Sequence, residues 1–182
     1  MKTILEKPLK LFRIMSGEHK MQLYFYQDRL KEAVEDYKLT EEQLRFTGTP
    51  EDSIRLSNEN SDRYPILAME KDKLVTFFVL HKNDGVKPYT SNNHAVLLRT
   101  FSTDYRYQGK GYAKKALMLL PNFIKKNLCD INQIILAVNV KNEIAQSLYK
   151  KCGYIDEGER RMGKKGELII LSFYLGEKTS SE

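Results

Sequence analysis

The stretch Arg106-Tyr107-Gln108-Gly109-Lys110-Gly111-Tyr112-Ala113 has the residue types and spacing of a phosphate cradle. Glycines at 109 and 111 let a bulky anion approach the main chain, because neither has a side chain to fill the space. An apolar run over 95–101 precedes the stretch and an amphipathic run over 112–124 follows it. That order reads as strand, basic glycine loop, helix. A helix start leaves backbone N–H groups unpaired, and its dipole favours negative charge. Residues 106–113 are therefore expected to bind a phosphate group. The loop lacks the G-x-x-x-x-G-K-[ST] order, which disfavours a kinase-like nucleotide enzyme.

The other reactive side chains form no comparable pattern. Cys129 and Cys152 are far apart and lack metal spacing, so they read as two free thiols in a reducing cytosol. His19, His81 and His94 are scattered, and no metal site is expected from them. The 182 residues suit one domain, 1–176, with a frayed tail over 177–182. With 41 % hydrophobic and 30 % charged residues, an ordinary soluble globular protein is expected. The 30 Lys and Arg against 24 Asp and Glu give a charge of +6. That excess could attract a polyanionic cofactor, but the charges are scattered and no nucleic-acid partner is expected. No stretch reads as a signal peptide or a membrane span, so a cytoplasmic protein is expected.

The elements that must position the loop follow from periodicity. Leu9 to Met15 suits a first strand, and Glu18 to Lys38 has helical spacing. Within the latter, Tyr24-Phe25-Tyr26 also suits a strand. Thr49-Pro50-Glu51-Asp52 is a helix start. Tyr64 to Glu70 and Leu74 to His81 read as a hairpin, and 82–93 as a loop. Ala95 to Thr103 reads as a central strand. The helix from Tyr112 is expected to kink or restart at Pro121. Gln133 to Val140 reads as a buried strand. Asn142 caps a helix whose inward face is Ile144, Ala145, Leu148, Tyr149 and Cys152, with Gly153 ending it. Tyr154 to Arg161 and Glu167 to Leu175 read as a closing hairpin. Its last strand could pair across a homodimer as an exposed edge.

Two blocks in this order, LLRTFSTDYRYQGKGYAKKAL over 97–117 and VNVKNEIAQSLYKKCGY over 138–154, resemble the GNAT superfamily of acetyl-CoA-dependent N-acetyltransferases. The order of elements extends the resemblance across most of the chain, more loosely before residue 60. It implies an α/β fold: a mixed, mostly antiparallel central sheet of about seven strands with helices on both faces. It implies acetyl-CoA as cosubstrate and direct attack by a primary amine on the thioester. The segment Leu39 to Leu44, with the loop block, is loosely similar to polyamine acetyltransferases. A small amine or polyamine is thus expected as acceptor rather than a protein.

The resemblance also implies roles. The pyrophosphate would sit on Arg106, Gln108, Gly109, Lys110, Gly111, Tyr112 and Ala113, mainly through backbone N–H groups. One of Lys110, Lys114 and Lys115 could meet the outer phosphate. Pantetheine would pair like a strand beside Phe101, Ser102 and Thr103. Asn142 would bond the cofactor, or act simply as a cap. Tyr149, two helical turns after Asn142, would protonate the leaving thiolate, or be an ordinary core tyrosine. The Phe101 N–H would stabilise the oxyanion. Relatives place a carboxylate base on the strand matching 95–101, where this chain has none and Arg99 stands instead. Glu70, with Glu167 as a second candidate, could serve as base through water, or be an ordinary surface acid. Arg99 would pair with a carboxylate of the fold or with a substrate anion. Glu41, Glu42, Glu51 and Asp52 could line a site for a cationic amine, or simply favour helix starts. The alternative function is a non-catalytic acyl-CoA-binding or sensing domain.

Overall fold

A computed structural model describes residues 20–176. Seven strands form one sheet in the order β1-β2-β3-β4-β5-β7-β6. They are β1 (Gln22–Phe25), β2 (Arg63–Glu70), β3 (Lys73–His81), β4 (Ala95–Thr103), β5 (Gln133–Asn139), β6 (Ile155–Gly163) and β7 (Gly166–Tyr174). The helices are α1 (Lys31–Glu35), α2 (Glu41–Leu44), α3 (Pro50–Glu59), α4 (Tyr112–Asn127) and α5 (Glu143–Lys151). Every pairing is antiparallel except β4 with β5.

Alternation along the strands builds a core on each face. Ile66 and Ala68 of β2, with Val96 and Leu98 of β4, face Leu117, Leu120 and Ile124 of α4 and Tyr149 of α5. Leu67 and Met69 point the other way, toward Val34, Tyr37 and Ile54 of the α1–α3 region. Ala95 and Leu97 share that second face with Val86, Ile135 and Ile170.

Several local signals act as expected. Thr49 accepts from the Asp52 N–H at 3.1 Å, and Pro50 opens α3. Beyond the signals read from the sequence, Thr40 and Gln43 form a reciprocal capping box that starts α2. Two expectations need correction, and a third is narrowed. The run 18–38 is not one helix: Gln22 to Phe25 pair with β2, and among its described residues only Lys31 to Glu35 are α-helical. The aromatic cluster at 24–26 prefers the pleated edge of the sheet to a helix surface. Helix α4 runs through Pro121 as a single element of 16 residues rather than restarting. Ile144 is 86 % exposed although its stripe on α5 is otherwise inward. It stands in the first turn, where the stripe gives onto a cavity instead of the core. The expected strand over Leu9 to Met15 lies outside the described residues.

Candidate active site

The parallel strands β4 and β5 separate partway along. Their ladder runs from Ala95–Gln133 to Leu98–Leu136 and stops. Beyond it, β4 stays with β3 and β5 stays with β7. A cavity of about 780 Å³ occupies the opening. Opposite the opening, β4 carries a bulge: Val79 faces Arg99 and Phe77 faces Ser102, leaving Thr100 and Phe101 against Phe78 alone. Thr100 has φ 54°, in the left-handed region. Such a bulge turns backbone groups away from the ladder and re-aims them.

At the end of β4 the chain turns into the glycine loop. Gly109 and Gly111 have φ 73° and 78°, and a Cβ on either would meet nothing within 4 Å. Gly111 is the N-cap of α4. Among the described residues, no acceptor meets the N–H groups of 109 to 114, while Lys115 N–H already bonds the Gly111 carbonyl. This open row of donors faces the cavity and fits a diphosphate.

Most residues expected at the site line this cavity: Phe101, Ser102, Thr103, Gln108, Gly109, Gly111, Tyr112, Ala113, Asn142 and Tyr149. Three do not. Arg106 turns away from the loop: its Nε donates to Asp104 Oδ1 at 3.0 Å and its Nη2 to Asp104 Oδ2 at 2.6 Å. Nη2 also reaches the Asp36 carbonyl at 2.6 Å. The buried Asp104 competes for the guanidinium more closely than any open loop could. Lys110 bonds back to the Arg106 carbonyl at 3.3 Å and lies over the Tyr107 ring. Of the three lysines considered for the outer phosphate, Lys114 is on the cavity wall.

Glu70 is the third exception. It pairs with Lys73 at the turn of the β2–β3 hairpin, beyond the Thr76–Thr103 pair that marks the end of β4. It is off the cavity wall, as is Glu167. Glu42 is the one carboxylate on that wall among the described residues. Glu51 and Asp52 belong to the start of α3, where Asp52 pairs with Arg55.

Tyr149 is buried, and its ring meets Phe101 edge-on at 6.0 Å and Tyr154 at 5.8 Å. Burial, then the neighbouring Cys152, pushes its phenol well above the ordinary tyrosine range, so it keeps its proton. Asn142 caps α5 by accepting from the Ala145 N–H at 3.2 Å while also lining the cavity. The capping reading of that residue holds, and the residue stands on the cavity wall.

Two supporting groups lay outside the sequence expectations. Gln43 Nε2 donates to the Thr103 carbonyl at 2.7 Å, tying α2 to the end of β4. Asp104 accepts from Lys38 N–H at 2.9 Å and from Arg106 N–H at 2.9 Å, joining the segment 36–38 to the glycine loop. Asp two residues before Arg is an Asx-turn signal that could have located the second.

On the far side of the bulge, Arg99 sits beside His81, Nη1 to Nδ1 3.2 Å. Burial first, then Arg63 and Arg99, holds His81 down to about 4. Its unfolded value is about 6.5. A depressed folded value means stability is intact above the unfolded value and is lost as pH falls toward the folded one. Melting temperature is therefore expected to drop between about pH 6.5 and 4.5, and the drop to flatten in His81→Gln. The perturbed carboxylates, including Asp104, have folded values below their ordinary range and act at lower pH. An unchanged slope in the variant would assign the acid sensitivity elsewhere.

The sequence profile of the Acetyltransferase (GNAT) family matches residues 24–154. The chain is 38 % identical over 156 residues to the "uncharacterized N-acetyltransferase YbbJ" of Bacillus subtilis (strain 168), covering 85 % of this chain and 98 % of that protein. The fold is shared with spermidine N-acetyltransferase from Vibrio cholerae in complex with CoA and spermine, at TM-score 0.65 and 15 % identity over 85 % of this chain and 95 % of that one. It is likewise shared with the aminoglycoside acetyltransferase AAC(6')-Ib in complex with coenzyme A, at TM-score 0.69 and 12 % identity over 85 % and 95 % of the two chains. The chain belongs to the GNAT acetyltransferase family. It is an acetyl-CoA-dependent N-acetyltransferase, and the non-catalytic alternative is not favoured.

Proposed function

We propose that the chain moves the acetyl group of acetyl-CoA to the primary amine of a small molecule, within the cavity between β4 and β5. The observation that carries this reading is the row of unmet N–H groups over 109–114, at the edge of a cavity that also holds Tyr149. The diphosphate of the cosubstrate would lie on those donors, with Lys114 beside it. Its pantetheine arm would run along Phe101 to Thr103 in place of the missing β5 ladder. The Thr103 carbonyl is already engaged by Gln43, so the arm would rely on the other main-chain groups of that segment.

In the reaction a neutral amine forms a C–N bond to the thioester carbonyl and the C–S bond breaks. The N–H of Phe101, re-aimed by the bulge, would meet the developing oxyanion; one such donor is worth about 3 kcal/mol. The Tyr149 phenol would give its proton to the departing thiolate and recover one from solvent. Glu70 takes no part, and the ammonium proton of the acceptor goes to solvent or to Glu42. The spermidine and aminoglycoside enzymes of the same fold act on small amines, which supports an acceptor of that size.

Thiol release from acetyl-CoA across a panel of amines tests the reading. Amine-dependent release is expected, and release that no amine accelerates would contradict it. The cradle has its own test. Gly111→Ala puts a methyl group where the phosphate would approach and strains a left-handed residue by about 1–2 kcal/mol. CoA affinity is expected to fall at least about tenfold by calorimetry. Unchanged affinity would move the diphosphate off this loop.

A further inference from the structure

Resting on the acetyltransferase reading, we propose that the acetyl acceptor is an amine that also carries a carboxylate, held by the Arg99 guanidinium and the Thr47 hydroxyl. Arg99 continues the Ala95–Leu97 alternation, so it projects from the face of the sheet opposite α4 and α5. It lines the cavity next to the Thr100–Phe101 bulge, where the acetyl group would be presented. The side chain is half-buried, yet no carboxylate among the described residues lies within ion-pair distance of it. Among the described residues, its one side-chain hydrogen-bond partner is the imidazole of His81, which stays neutral at physiological pH and neutralises nothing. Burial first, and then the like charge of Arg63, disfavour its charged form. A desolvated guanidinium without a counter-ion is costly, and a planar bidentate anion is its best partner.

A second, independent observation points the same way. Thr47 lines the same cavity wall, and its buried Oγ1 has no hydrogen-bond partner among the described residues. Its neighbour Gly48 lies against the Thr100 side chain, so this hydroxyl belongs to the Arg99 end of the cavity. A buried hydroxyl with no partner invites a ligand oxygen. The charge of the surrounding wall agrees: Arg45, Lys164 and Lys165 line it against the single acid Glu42. Such a wall repels a polycation and accepts an amine with a net neutral or negative charge. The exposed ring of Phe46, also on the wall, offers a surface for an apolar substituent. An apolar α-amino acid combines these features.

The test compares leucine with leucinamide and spermidine as acceptors, in the wild type and in Arg99→Gln and Arg99→Lys. A charge-assisted pair predicts a roughly 10- to 100-fold preference in kcat/KM for leucine over leucinamide. The amide has the less basic amine, so intrinsic reactivity runs against this outcome. In Arg99→Gln the ratio is expected to fall toward one, with partial recovery in Arg99→Lys and CoA affinity retained as a check of folding. A wild-type ratio near one, an unchanged ratio in Arg99→Gln, or spermidine matching leucine would each overturn the proposal while leaving acetyl transfer intact. Titration of leucine into CoA-saturated protein separates the two claims. Binding that depends on Arg99 without turnover of any amine would uphold the carboxylate site and sink the acetyltransferase reading. Absence of both the preference and Arg99-dependent binding would overturn the proposal whatever amine is acetylated.

Discussion

Tyr149→Phe is expected to lower kcat by roughly 10²- to 10⁴-fold while leaving the dissociation constant of CoA within about twofold. The substitution removes one oxygen and keeps the ring. The ring holds the local packing through edge contacts with Phe101 and Tyr154. Burial and Cys152 alone raise its pKa, with no hydrogen bond contributing, so removing the hydroxyl should leave the fold intact. The same burial predicts a pH signature. The phenol stays protonated past its ordinary value of about 10, so it adds no descending limb to the kcat profile below that pH. The ascending limb belongs to the acceptor amine. Initial rates from pH 6 to 10, with CoA titrations on both proteins, check all of this. Equal kcat in the two proteins would make Tyr149 a core residue, and a limb near pH 8 that vanishes in the variant would contradict the burial account.

Arg106→Ala should act first on stability and only then on the cofactor. Asp104 has no exposed surface, and it relies on two guanidinium contacts as well as the N–H groups of Lys38 and Arg106. Removing the guanidinium leaves a buried carboxylate facing two amides, a loss of about 3–5 kcal/mol. For a chain of this size that corresponds to roughly 10 °C in Tm. Burial alone would raise the Asp104 pKa, but the Arg106 hydrogen bonds and the Lys38 N–H bring it below the usual carboxylate range. A depressed folded value contributes stability above the unfolded pKa and loses it as pH falls through the folded one. In the variant the buried carboxyl titrates upward instead, so protonation relieves it. The stability gap to wild type is therefore expected to narrow as pH falls from about 7 to 5. Melting curves at both pH values measure it. A variant with wild-type Tm that has lost CoA binding would return Arg106 to the phosphate site.

That reassignment shows where the sequence was legible. Gly109, Gly111 and the strand-to-helix order around them mark an open, left-handed glycine loop at the start of α4 through local backbone chemistry alone. The hairpin of β2 and β3 and the central strand β4 are equally local, since apolar runs bounded by turns leave few alternatives. The partner of Arg106 is another matter. Asp104 is two residues away, but Asp36 is 70 residues distant, and only the packed sheet brings it near. The same holds for Glu70: strand register sets it at the hairpin turn of β2 and β3, off the cavity wall, which its place in the sequence does not show. Helical spacing over 18–38 lost to the edge of the sheet because β1 gains a full ladder with β2. Arg99 was visible as an oddity in an apolar strand. That no carboxylate among the described residues reaches it is a property of the assembled face and could not be read from neighbours in sequence.

The most direct test of the account is the structure of the protein with coenzyme A. The account predicts phosphate oxygens within hydrogen-bond distance of the N–H groups of 109–114, pantetheine alongside Phe101 to Thr103, and the sulfur beside the Tyr149 hydroxyl. Coenzyme A bound anywhere other than between β4 and β5, or with its sulfur away from Tyr149, would contradict it.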